Sequence, residues 1–390
     1  MRAHDRGQDP AILAGVRVAD FSRVLAGPYA TMMLADFGAD VIKIEGPDGD
    51  ETRAWRPPAD PQGSSTYFAA VNRNKRSMTC DLAGPDGAAA RRLAATADVV
   101  VENFRPGVME RFGLGYEQLA AVNPRLVYCS ITGFGRGAGA ELPGYDLIVQ
   151  ALGGLMSVTG EPEGRPMKVG VALVDVLTGL NAFSAVLLAL RRREQRPGPQ
   201  RIDVDLLSSL LAGLTNLAAA TLTTGEPPGR FGNAHPSIAP YETFETEDRM
   251  LAIAVGNDRQ FAALCRTLDL PDLPLDHRFD DNPSRVQHRS ELREVLEARL
   301  RTAPASEWQE RLTAARVPAG AVSTVDEAFA LAERLGLGLV TGAPGAGRQA
   351  ANPIRMSSGS PTYRIPPPPL GDRGPLGWSD ERDPDEEALA

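Results

Sequence analysis

The chain has 390 residues, 43% of them hydrophobic and 23% charged, and this length and composition predict a globular protein of two domains. A formal net charge of −9 argues against a nucleic-acid-binding protein, whose contact surface is basic. The cysteines, Cys80, Cys129 and Cys265, are odd in number and far apart, so we expect a reducing compartment without a disulfide framework. The N-terminal segment lacks the apolar core of a signal peptide, and we expect a cytoplasmic protein.

The first 200 residues alternate β-branched segments with segments rich in Ala and Leu. This alternation predicts an α/β layer of parallel strands joined by crossover helices. The predicted buried strands are GVRVADFS, ADVIKIEG, RSMTCDL, ADVVVENF and RLVYCSITGFG. Further along, we predict helices at 146–158, 175–193 and 206–222, with a strand in RIDVDL before the last helix.

A segment rich in Pro and Gly at 223–233 marks the first predicted domain boundary. After it, one predicted strand, MLAIAVGN, and three predicted helices form a small α+β region. The first of these helices begins near Asp258, and the other two span 284–301 and 305–316. The predicted organisation is a large α/β domain at 1–224, a small α+β domain at 225–320 and a final segment at 321–390 with an acidic tail.

The segment GFGRGAGA, at 133–140, matches the GxGxxG/A pattern of dinucleotide-binding loops. In those proteins the pattern opens a helix after the first strand, whereas here Pro143 follows at once and the preceding strand is the fifth. The pattern therefore favours a flexible glycine-rich loop beside a site, and an NAD-dependent enzyme is the less favoured alternative. The position of this segment gives the expectation of no NAD. The four histidines show no HExxH or CxxC-type pattern, so we expect no metal.

Two segments of the first half combine cations with amides. VNRNKRS, at 71–77, is either a solvated turn or a holder of phosphate groups. VENFRPGVMERFG begins at the end of a predicted strand, where ligands of open α/β sheets bind. Its candidate residues are Asn103, Phe104, Arg105 and Arg111. These groups suit an adenine nucleotide with phosphates, and a packed Phe beside two surface Arg is an equal alternative.

Three further polar residues have structural explanations. Tyr145 and Asp146 stand at a predicted helix start, where an acidic residue caps the helix, and capping alone would explain Asp146. His235 lies in a loop of small residues, and a lone loop histidine is more often structural than catalytic.

Asp175 stands in an apolar stretch, VGVALVDVLTGLNAF, where an unpaired carboxylate is costly to bury. It is either the N-cap of a helix or a desolvated carboxylate that acts as a nucleophile, and the residues leave both open. Gly170 and Gly179 would let a ligand approach the backbone nearby. The stretch at 171–190 is long enough to span a membrane, but its polar residues favour a buried helix.

Several segments, in chain order, resemble the class III CoA-transferase family, which includes formyl-CoA transferase, carnitine CoA-transferase and α-methylacyl-CoA racemase. They are RVLAGPYATMMLADFGADVIKIEGPDGDETRAW, NRNKRS, VENFRPGVMERFGLGYE, YCSITGFG, PGYDLIVQALGGLMSVTG and VGVALVDVLTGL. Within the family, four segments are most similar to the succinyl-CoA:glutarate and related dicarboxylate CoA-transferases. These are RVLAGP, STYF, GNAHPSIAPYETF and VGNDRQF.

The resemblance implies an interlocked homodimer with a Rossmann-like large domain, built from both chain ends, and a small domain, so that 321–390 returns to the large domain. It implies that Asp175 attacks the thioester of an acyl-CoA, forms a mixed anhydride and then carries CoA as an aspartyl thioester. We expect succinyl-CoA as the donor and a small carboxylic acid, a dicarboxylate, as the acceptor. The expected partners are these substrates and a second copy of the chain, with no nucleic acid and no membrane.

By position, the resemblance assigns most of the CoA site to the first half of the chain. The assigned residues are Leu25, Ala26, Cys80, Asp81, Asn103, Phe104, Arg105 and Arg111, with Tyr145 and Asp146 close to the thioester. Arg23 and His235 are candidates for holding the remote carboxylate of a dicarboxylate acceptor.

The chain departs from its relatives at several positions. Tyr145 replaces the His of the racemases, and Leu25 replaces a Gln of formyl-CoA transferase, so racemisation and formyl transfer are less favoured. Basic residues of some relatives are replaced by Gly46, Ala83 and Leu142. The segment PPPPLGDRG lacks the usual His. An acyl-CoA racemase or epimerase and a catalytically inactive CoA-binding protein are the alternative functions.

Overall fold

The computed structural model describes residues 11–343, 347–371 and 377–379, and their contacts divide the chain into two compact units. The first unit contains the described parts of Met1–Leu155, Val169–Thr224 and Gly336–Ala390. The second unit contains Met156–Lys168 and Gly225–Leu335.

Two segments lie in a different unit from the one predicted for them. The first, 156–168, belongs to the second unit, where the side chain of Arg230 donates a hydrogen bond to the carbonyl of Gly164 (2.7 Å). The other, 321–335, also belongs to the second unit. It folds into a helix that is ion-paired through a glutamate to Arg249 at 2.9 Å. Composition alone placed these segments in other domains, because it does not reveal such contacts between distant residues.

A parallel sheet of six strands, counted over the described residues, lies in the first unit. Its strands are β1 (Arg17–Asp20), β2 (Asp40–Glu45), β3 (Lys75–Thr79), β4 (Val99–Glu102), β5 (Val127–Thr132) and β6 (Gln200–Asp205). They are hydrogen-bonded in the order β3-β2-β1-β4-β5-β6, and every neighbouring pair is parallel. The predicted α/β layer is thus confirmed. Its strand order is that of a doubly wound sheet, whose switch point lies between β1 and β4.

Helices follow the strands along the chain. Up to residue 224 they are α1 (Ala26–Asp36), α2 (Thr66–Ala70), α3 (Gly87–Thr96), α4 (Val108–Arg111), α5 (Tyr116–Ala120), α6 (Asp146–Leu152), α7 (Leu155–Val158), α8 (Leu173–Gln195), α9 (Leu206–Gly213) and α10 (Thr215–Thr224). Two predicted helices are each divided in the structure. The one predicted at 146–158 becomes α6 and α7, and the one at 206–222 becomes α9 and α10, which bend by 85°.

Both faces of the sheet are buried at its central strands, where successive residues point to opposite sides and both sets include apolar residues, whereas the edge strand β6 has exposed residues. One set, which includes Val18 and Val99, packs against α1 and α8. The other set, which includes Ala19 and Val100, packs against α3. Runs of consecutive apolar residues therefore identified these strands correctly.

Among the described residues, α8 is long and apolar enough to cross a membrane by length and composition. One side of this helix, from Val174 to Ala189, is buried in the core with α1, as predicted for a core helix. Gly179 faces α1, and a Cβ there would lie 2.7 Å from the carbonyl oxygen of Ala26. This glycine therefore permits close packing of two helices. The sequence analysis expected it to admit a ligand, and for Gly179 that expectation is wrong.

The segment VNRNKRS is neither a solvated turn nor a phosphate site, which corrects both interpretations of it. Arg73 forms a bidentate ion pair with Asp36 (2.9 and 2.7 Å). The ammonium group of Lys75 lies 3.0 Å from the carboxylate of Asp20. All four side chains are buried, and each charge is satisfied inside the first unit. Their role is structural.

The chain after Gly336 returns to the first unit. The carbonyl of Ile365 accepts a hydrogen bond from the backbone of Asn74 (2.9 Å). Trp378, only 1% exposed, packs in the core beside α3 and donates from Nε1 to the hydroxyl of Thr96 (2.9 Å). Two short antiparallel strands lie in this segment, β10 (Val340–Thr341) and β11 (Gln349–Ala350).

The second unit has α+β structure. Its strands and helices are β7 (Tyr241–Glu245), β8 (Met250–Ala254), α11 (Asp258–Thr267), α12 (Asn282–Gln287), α13 (Arg289–Leu300), α14 (Ala305–Ala314), β9 (Ala319–Ala321) and α15 (Val325–Arg334). Phe244 and Ile253 of the antiparallel sheet pack with Trp308 of α14 in its core. The helix predicted at 284–301 is divided at His288, and β7, β9 and α15 were not predicted from the sequence.

Candidate active site

A cavity of about 290 Å³ opens at the carboxyl ends of β1, β4 and β5. It is lined by Arg23–Ala26 after β1, by Asn103–Pro106 after β4 and by the glycine-rich loop after β5. Asp175, near the start of α8, also lines it. Because β1 and β4 flank the switch point of the sheet, the cavity lies where ligands of open α/β sheets bind.

Asp175 lies in the first turn of α8 and is partly buried. It is the third residue of the helix, whose N-cap is Ala172, so the hypothesis that Asp175 is itself the N-cap is wrong. Its side chain forms no hydrogen bond or ion pair within the described part of the chain. A carboxylate that lines a cavity without a partner costs stability and has its lone pairs available for reaction.

Asp146 caps the helix that carries Asp175. Its Oδ1 atom accepts hydrogen bonds from the backbone N–H groups of Val174 (2.8 Å) and Asp175 (3.2 Å), and its Oδ2 atom accepts one from Gln150 (2.6 Å). The sequence predicted that Asp146 caps its own helix, α6, but the structure directs its side chain to α8. Asp146 is not among the residues that line the cavity.

The pKa of Asp175 is raised from 3.8 to about 7, first by burial and then by the negative charge of Asp146. Close to neutral pH, both protonation states of Asp175 are therefore populated. The ionised form is also a better nucleophile than an ordinary aspartate, since nucleophilicity of a carboxylate increases with its basicity.

The turns after β1 and β4 are joined by Asn103. Its Oδ1 atom accepts from the backbone N–H of Arg23, and its Nδ2 atom donates to the carbonyl of Arg23, both at 2.8 Å. The guanidinium of Arg23 lies over the ring of Phe104, 4.8 Å from the centroid. Neither Arg23 nor Arg105 forms an ion pair with any described residue. The cavity therefore presents two cations to an anionic ligand.

The loop between β5 and α6 forms another wall of the cavity. Gly133 and Gly144 approach so closely that a Cβ on Gly144 would lie 2.6 Å from the Cα of Gly133. This contact brings Tyr145, which is 55% exposed, to the cavity. The predicted glycine-rich loop beside the site thus lies where it was expected. Leu25 and Ala26, at the start of α1, line the cavity as well.

Five of the predicted site residues are not among the residues that line the cavity, namely Asp146 and four others. Cys80 is buried in the core at the end of β3, and Asp81 is exposed and accepts a hydrogen bond from the backbone of Ala83 (3.0 Å). Arg111 is exposed at the end of α4. His235 lies in the second unit, where its ring centroid is 5.3 Å from that of Tyr241. Their assignments stay predictions.

Two residues of this region were missed by sequence reasoning. Glu51 lines the cavity between β2 and α2. Tyr67 of α2 has its pKa raised to about 12 by burial and then by the charge of Asp175, so its hydroxyl stays protonated near the nucleophile. Tyr67 belongs to the STYF segment, which the sequence analysis noted only for its family resemblance. No sequence pattern placed Tyr67 near Asp175, because the two residues are 108 positions apart (175 minus 67).

The turns around the cavity also bear on dinucleotide binding. Dinucleotide-binding sheets place their glycine-rich turn directly after β1. Here that turn is Arg23–Ala26, without a glycine, and the glycine-rich loop follows β5 instead. The residues at the switch point thus lack the fingerprint of an NAD site. Within the described residues, no group of three or more His, Cys, Asp or Glu side chains is arranged to hold a metal ion.

Comparisons with known proteins identify the family to which this chain belongs. The model of CoA-transferase family III matches residues 13–373. Succinate–glutarate CoA-transferase of Agrobacterium fabrum is 45% identical over 381 residues, which cover 92% of this chain and 93% of that protein. Succinyl-CoA:glutarate CoA-transferase of Mus musculus is 42% identical over 366 residues, which cover 92% of this chain and 84% of that protein.

Solved structures show the same fold. A CAIB/BAIF family protein from Brucella suis superimposes with a TM-score of 0.85 at 42% identity, over 93% of this chain and 97% of that one. Rv3272 from Mycobacterium tuberculosis superimposes with a TM-score of 0.83 at 33% identity, over 93% of this chain and 98% of that one.

Proposed function

This chain belongs to CoA-transferase family III and is a CoA-transferase, and we propose that it moves CoA from succinyl-CoA to a small dicarboxylate through covalent intermediates on Asp175. The observation that carries the proposal is the unpaired Asp175 carboxylate in a cavity at the switch point of the sheet. Support for the two acids comes from the names of the similar enzymes, which are succinate–glutarate and succinyl-CoA:glutarate CoA-transferases.

In the first half-reaction, an oxygen of Asp175 attacks the thioester carbonyl of the donor, and the carbon–sulfur bond breaks. CoA leaves as the thiolate, and Asp175 and the donor acyl group are joined as a mixed anhydride. The thiolate then attacks the aspartyl carbonyl, which forms an aspartyl-CoA thioester and releases the donor acid as its carboxylate.

In the second half-reaction, the acceptor carboxylate attacks the aspartyl thioester and again releases the CoA thiolate. The new anhydride joins Asp175 to the acceptor. Attack of the thiolate on the acceptor carbonyl gives the product thioester and regenerates the Asp175 carboxylate. Each step exchanges one activated acyl group for another, so the thioester energy is conserved as long as water does not reach the anhydride.

The residues around Asp175 suit this chemistry. Its position in the first turn of α8 places the charge at the positive end of the helix dipole, which stabilises the carboxylate leaving group. The protonated hydroxyl of Tyr67 is a neutral donor near the same carboxylate. Partial burial keeps bulk water away from the anhydride.

Arginine side chains of the cavity would bind the anionic groups of the substrates. Arg23 and Arg105 line the cavity and have no ion-pair partner among the described residues, and we assign them to the phosphates of CoA or to the remote carboxylate of the acceptor. Arg111 and His235 remain proposed contacts for these same groups, Arg111 for a phosphate and His235 for the carboxylate.

The proposed assembly is an interlocked homodimer in the cytoplasm, with the large domain built from both chain ends. Support comes from α10, in which none of the described residues is buried and Leu222 is 87% exposed. Leu211 of α9 is exposed as well. A partner chain that covers these helices would remove this apolar surface from water.

The test is to incubate the protein with succinyl-CoA and a panel of carboxylates and to identify new thioesters by mass spectrometry. Glutaryl-CoA or another dicarboxylate thioester is expected, and Asp175→Asn should abolish its formation, whereas the exposed control Asp48→Asn should not. Deuterium incorporation at the α-carbon without CoA exchange would instead establish a racemase. CoA binding without transfer to any acid would establish an inactive CoA-binding protein.

A further inference from the structure

The turn that joins β1 to α1 contains a strained residue. Val24 has φ +67°, in the left-handed region that a β-branched residue rarely adopts. It stands between Arg23 and Leu25, and all three residues line the cavity. A backbone conformation of this kind persists only where the surrounding structure holds it in place.

Side chains from outside the turn hold it. The ammonium group of Lys43, on β2, donates to the carbonyl of Ser22 (2.8 Å). The carboxylate of Asp50, after β2, accepts from the backbone N–H of Val24 (3.2 Å to Oδ2). Asn103 forms the two hydrogen bonds to the backbone of Arg23 that were described above. Side chains therefore bind backbone groups of three consecutive residues of the turn, 22–24. The turn is therefore over-determined, as its strain requires.

Lys43 and Asp50 are also paired with each other. Lys43 Nζ lies 2.9 Å from Oδ2 of Asp50, and both side chains are fully buried. Burial opposes ionisation of Asp50, but the charge of Lys43 and hydrogen bonds from Thr52 hold the pKa of Asp50 below its usual value. A buried ion pair adds little stability compared with a packed apolar pair, yet it fixes the position of whatever it binds. Here it binds the backbone on both sides of Arg23.

We propose that Asp50 and Lys43 are positioning residues for the acyl-CoA site. They hold Val24 in the left-handed conformation, and this conformation presents Arg23 and Leu25 to the cavity. Neither residue lines the cavity, so both act through the turn. The inference rests on the proposed function in one respect, namely that the ligand of the cavity is an acyl-CoA.

The identity of residue 24 makes the proposal specific. Dinucleotide-binding sheets use glycine in this turn, since glycine adopts positive φ without steric cost. With valine in that place, the chain must supply side chains that offset the strain. The need for Asp50 should therefore diminish if Val24 is replaced by glycine, which a purely structural role of Asp50 would not produce.

The test compares Asp50→Asn, Asp50→Asn with Val24→Gly, and Asp48→Asn as an exposed control that makes the same change in the same loop. Hydrogen–deuterium exchange of the peptide that contains residues 22–27 reports the turn. Calorimetric titration with CoA reports the site, and steady-state kinetics with succinyl-CoA separate KM from kcat. The exchange measurement does not depend on what the cavity binds.

Asp50→Asn is expected to speed exchange in this peptide and to raise both the Kd of CoA and the KM of succinyl-CoA by about ten-fold. A change of this size corresponds to the free energy of the backbone strain of one residue. It should change kcat less than KM, since the reacting groups are intact. Adding Val24→Gly should recover at least half of the lost binding free energy. Asp48→Asn should behave as the wild type.

Two outcomes overturn the inference while leaving the proposed function intact. One is exchange and CoA affinity in Asp50→Asn that equal those of the wild type. The other is a double variant as impaired as Asp50→Asn. Wild-type protein that binds no CoA would instead overturn the proposed function. If Asp50→Asn does not fold, Lys43→Met with Asp50→Leu replaces it, because an apolar pair of similar volume preserves stability while removing the contact with Val24.

Discussion

The carboxylate of Asp146 accepts a 3.2 Å hydrogen bond from the backbone N–H of Asp175, and its charge raises the pKa of the Asp175 side chain. One residue thus fixes the start of α8 and makes the nucleophile at that start harder to ionise. The helix dipole acts in the opposite direction, since the N-terminal end of a helix stabilises an anion. The reactivity of Asp175 therefore depends on a balance that Asp146 controls.

Asp146→Asn is expected to shift the pH dependence of transfer to lower pH. The variant removes the charge and keeps an oxygen that can cap α8, so the pKa of Asp175 falls. Because the ionised form attacks the thioester, the wild-type rate rises with pH through about 7, and the rate of the variant should rise earlier. Initial rates between about pH 5 and pH 9 measure this shift. Superimposable profiles would contradict the assigned effect of the Asp146 charge.

Asp175→Asn is expected to make the protein more stable at neutral pH while abolishing transfer. The pKa of Asp175 is raised by folding from 3.8 to about 7, so ionisation of the folded protein costs stability as pH rises through this interval. Below pH 3.8 the wild type carries no such cost, and above about 7 the cost is complete. Thermal unfolding of both proteins across this range should show a difference between their melting temperatures that widens as pH rises. A difference that is constant or narrows would show that the surroundings of Asp175 do not destabilise its ionised form.

Arg23→Ala is expected to raise the Kd of CoA by about ten-fold, because a charge-assisted hydrogen bond contributes about 1.5–3 kcal/mol and solvent weakens it at this exposed position. The loss should be smaller at high ionic strength, where screening already weakens the contact. Arg92→Ala, which removes an exposed arginine from α3, is the matched control. Titration calorimetry at two salt concentrations checks both variants. Equal CoA affinities for the Arg23 and Arg92 variants would exclude Arg23 as a phosphate contact and leave it only the acceptor carboxylate.

Gly144→Ala is expected to lower kcat/KM by about 10- to 100-fold, as small displacements of a site commonly do. A Cβ at residue 144 would lie 2.6 Å from the Cα of Gly133, so the loop must open and move Tyr145. Gly137→Ala is the control in the same loop, since nothing lies within 4 Å of its added Cβ. Steady-state kinetics and the thermal midpoint should show an active control and an impaired but folded Gly144 variant. Full activity of that variant would mean that the close approach is dispensable.

The strands of the first unit could be predicted because a parallel sheet buries both of its faces. Segments such as ADVVVENF are then apolar at consecutive positions, and this pattern identified β4. The carboxyl ends of such strands point to a site, so Asn103 and Phe104 were also found. These inferences use only local composition and a general rule of fold geometry.

Contacts between distant residues could not be predicted in this way. The bonds of Asn103 to Arg23 join positions 80 residues apart, and those of Asp146 to α8 span 28 and 29. The cations of VNRNKRS appeared free for a ligand, because the acidic partners, Asp36 and Asp20, precede them by many residues. A charge is available to a ligand only if the fold leaves it unpaired, and sequence spacing does not reveal that.

The most direct test of the account is to trap the acyl group on Asp175. The protein is incubated with succinyl-CoA, quenched with hydroxylamine and digested, and the peptides are sequenced by mass spectrometry. Hydroxylamine attacks either the anhydride or the aspartyl thioester, so a hydroxamate on Asp175 that requires the donor is the predicted result. A hydroxamate on another residue, or full transfer activity in Asp175→Ala, would contradict the assignment of the nucleophile.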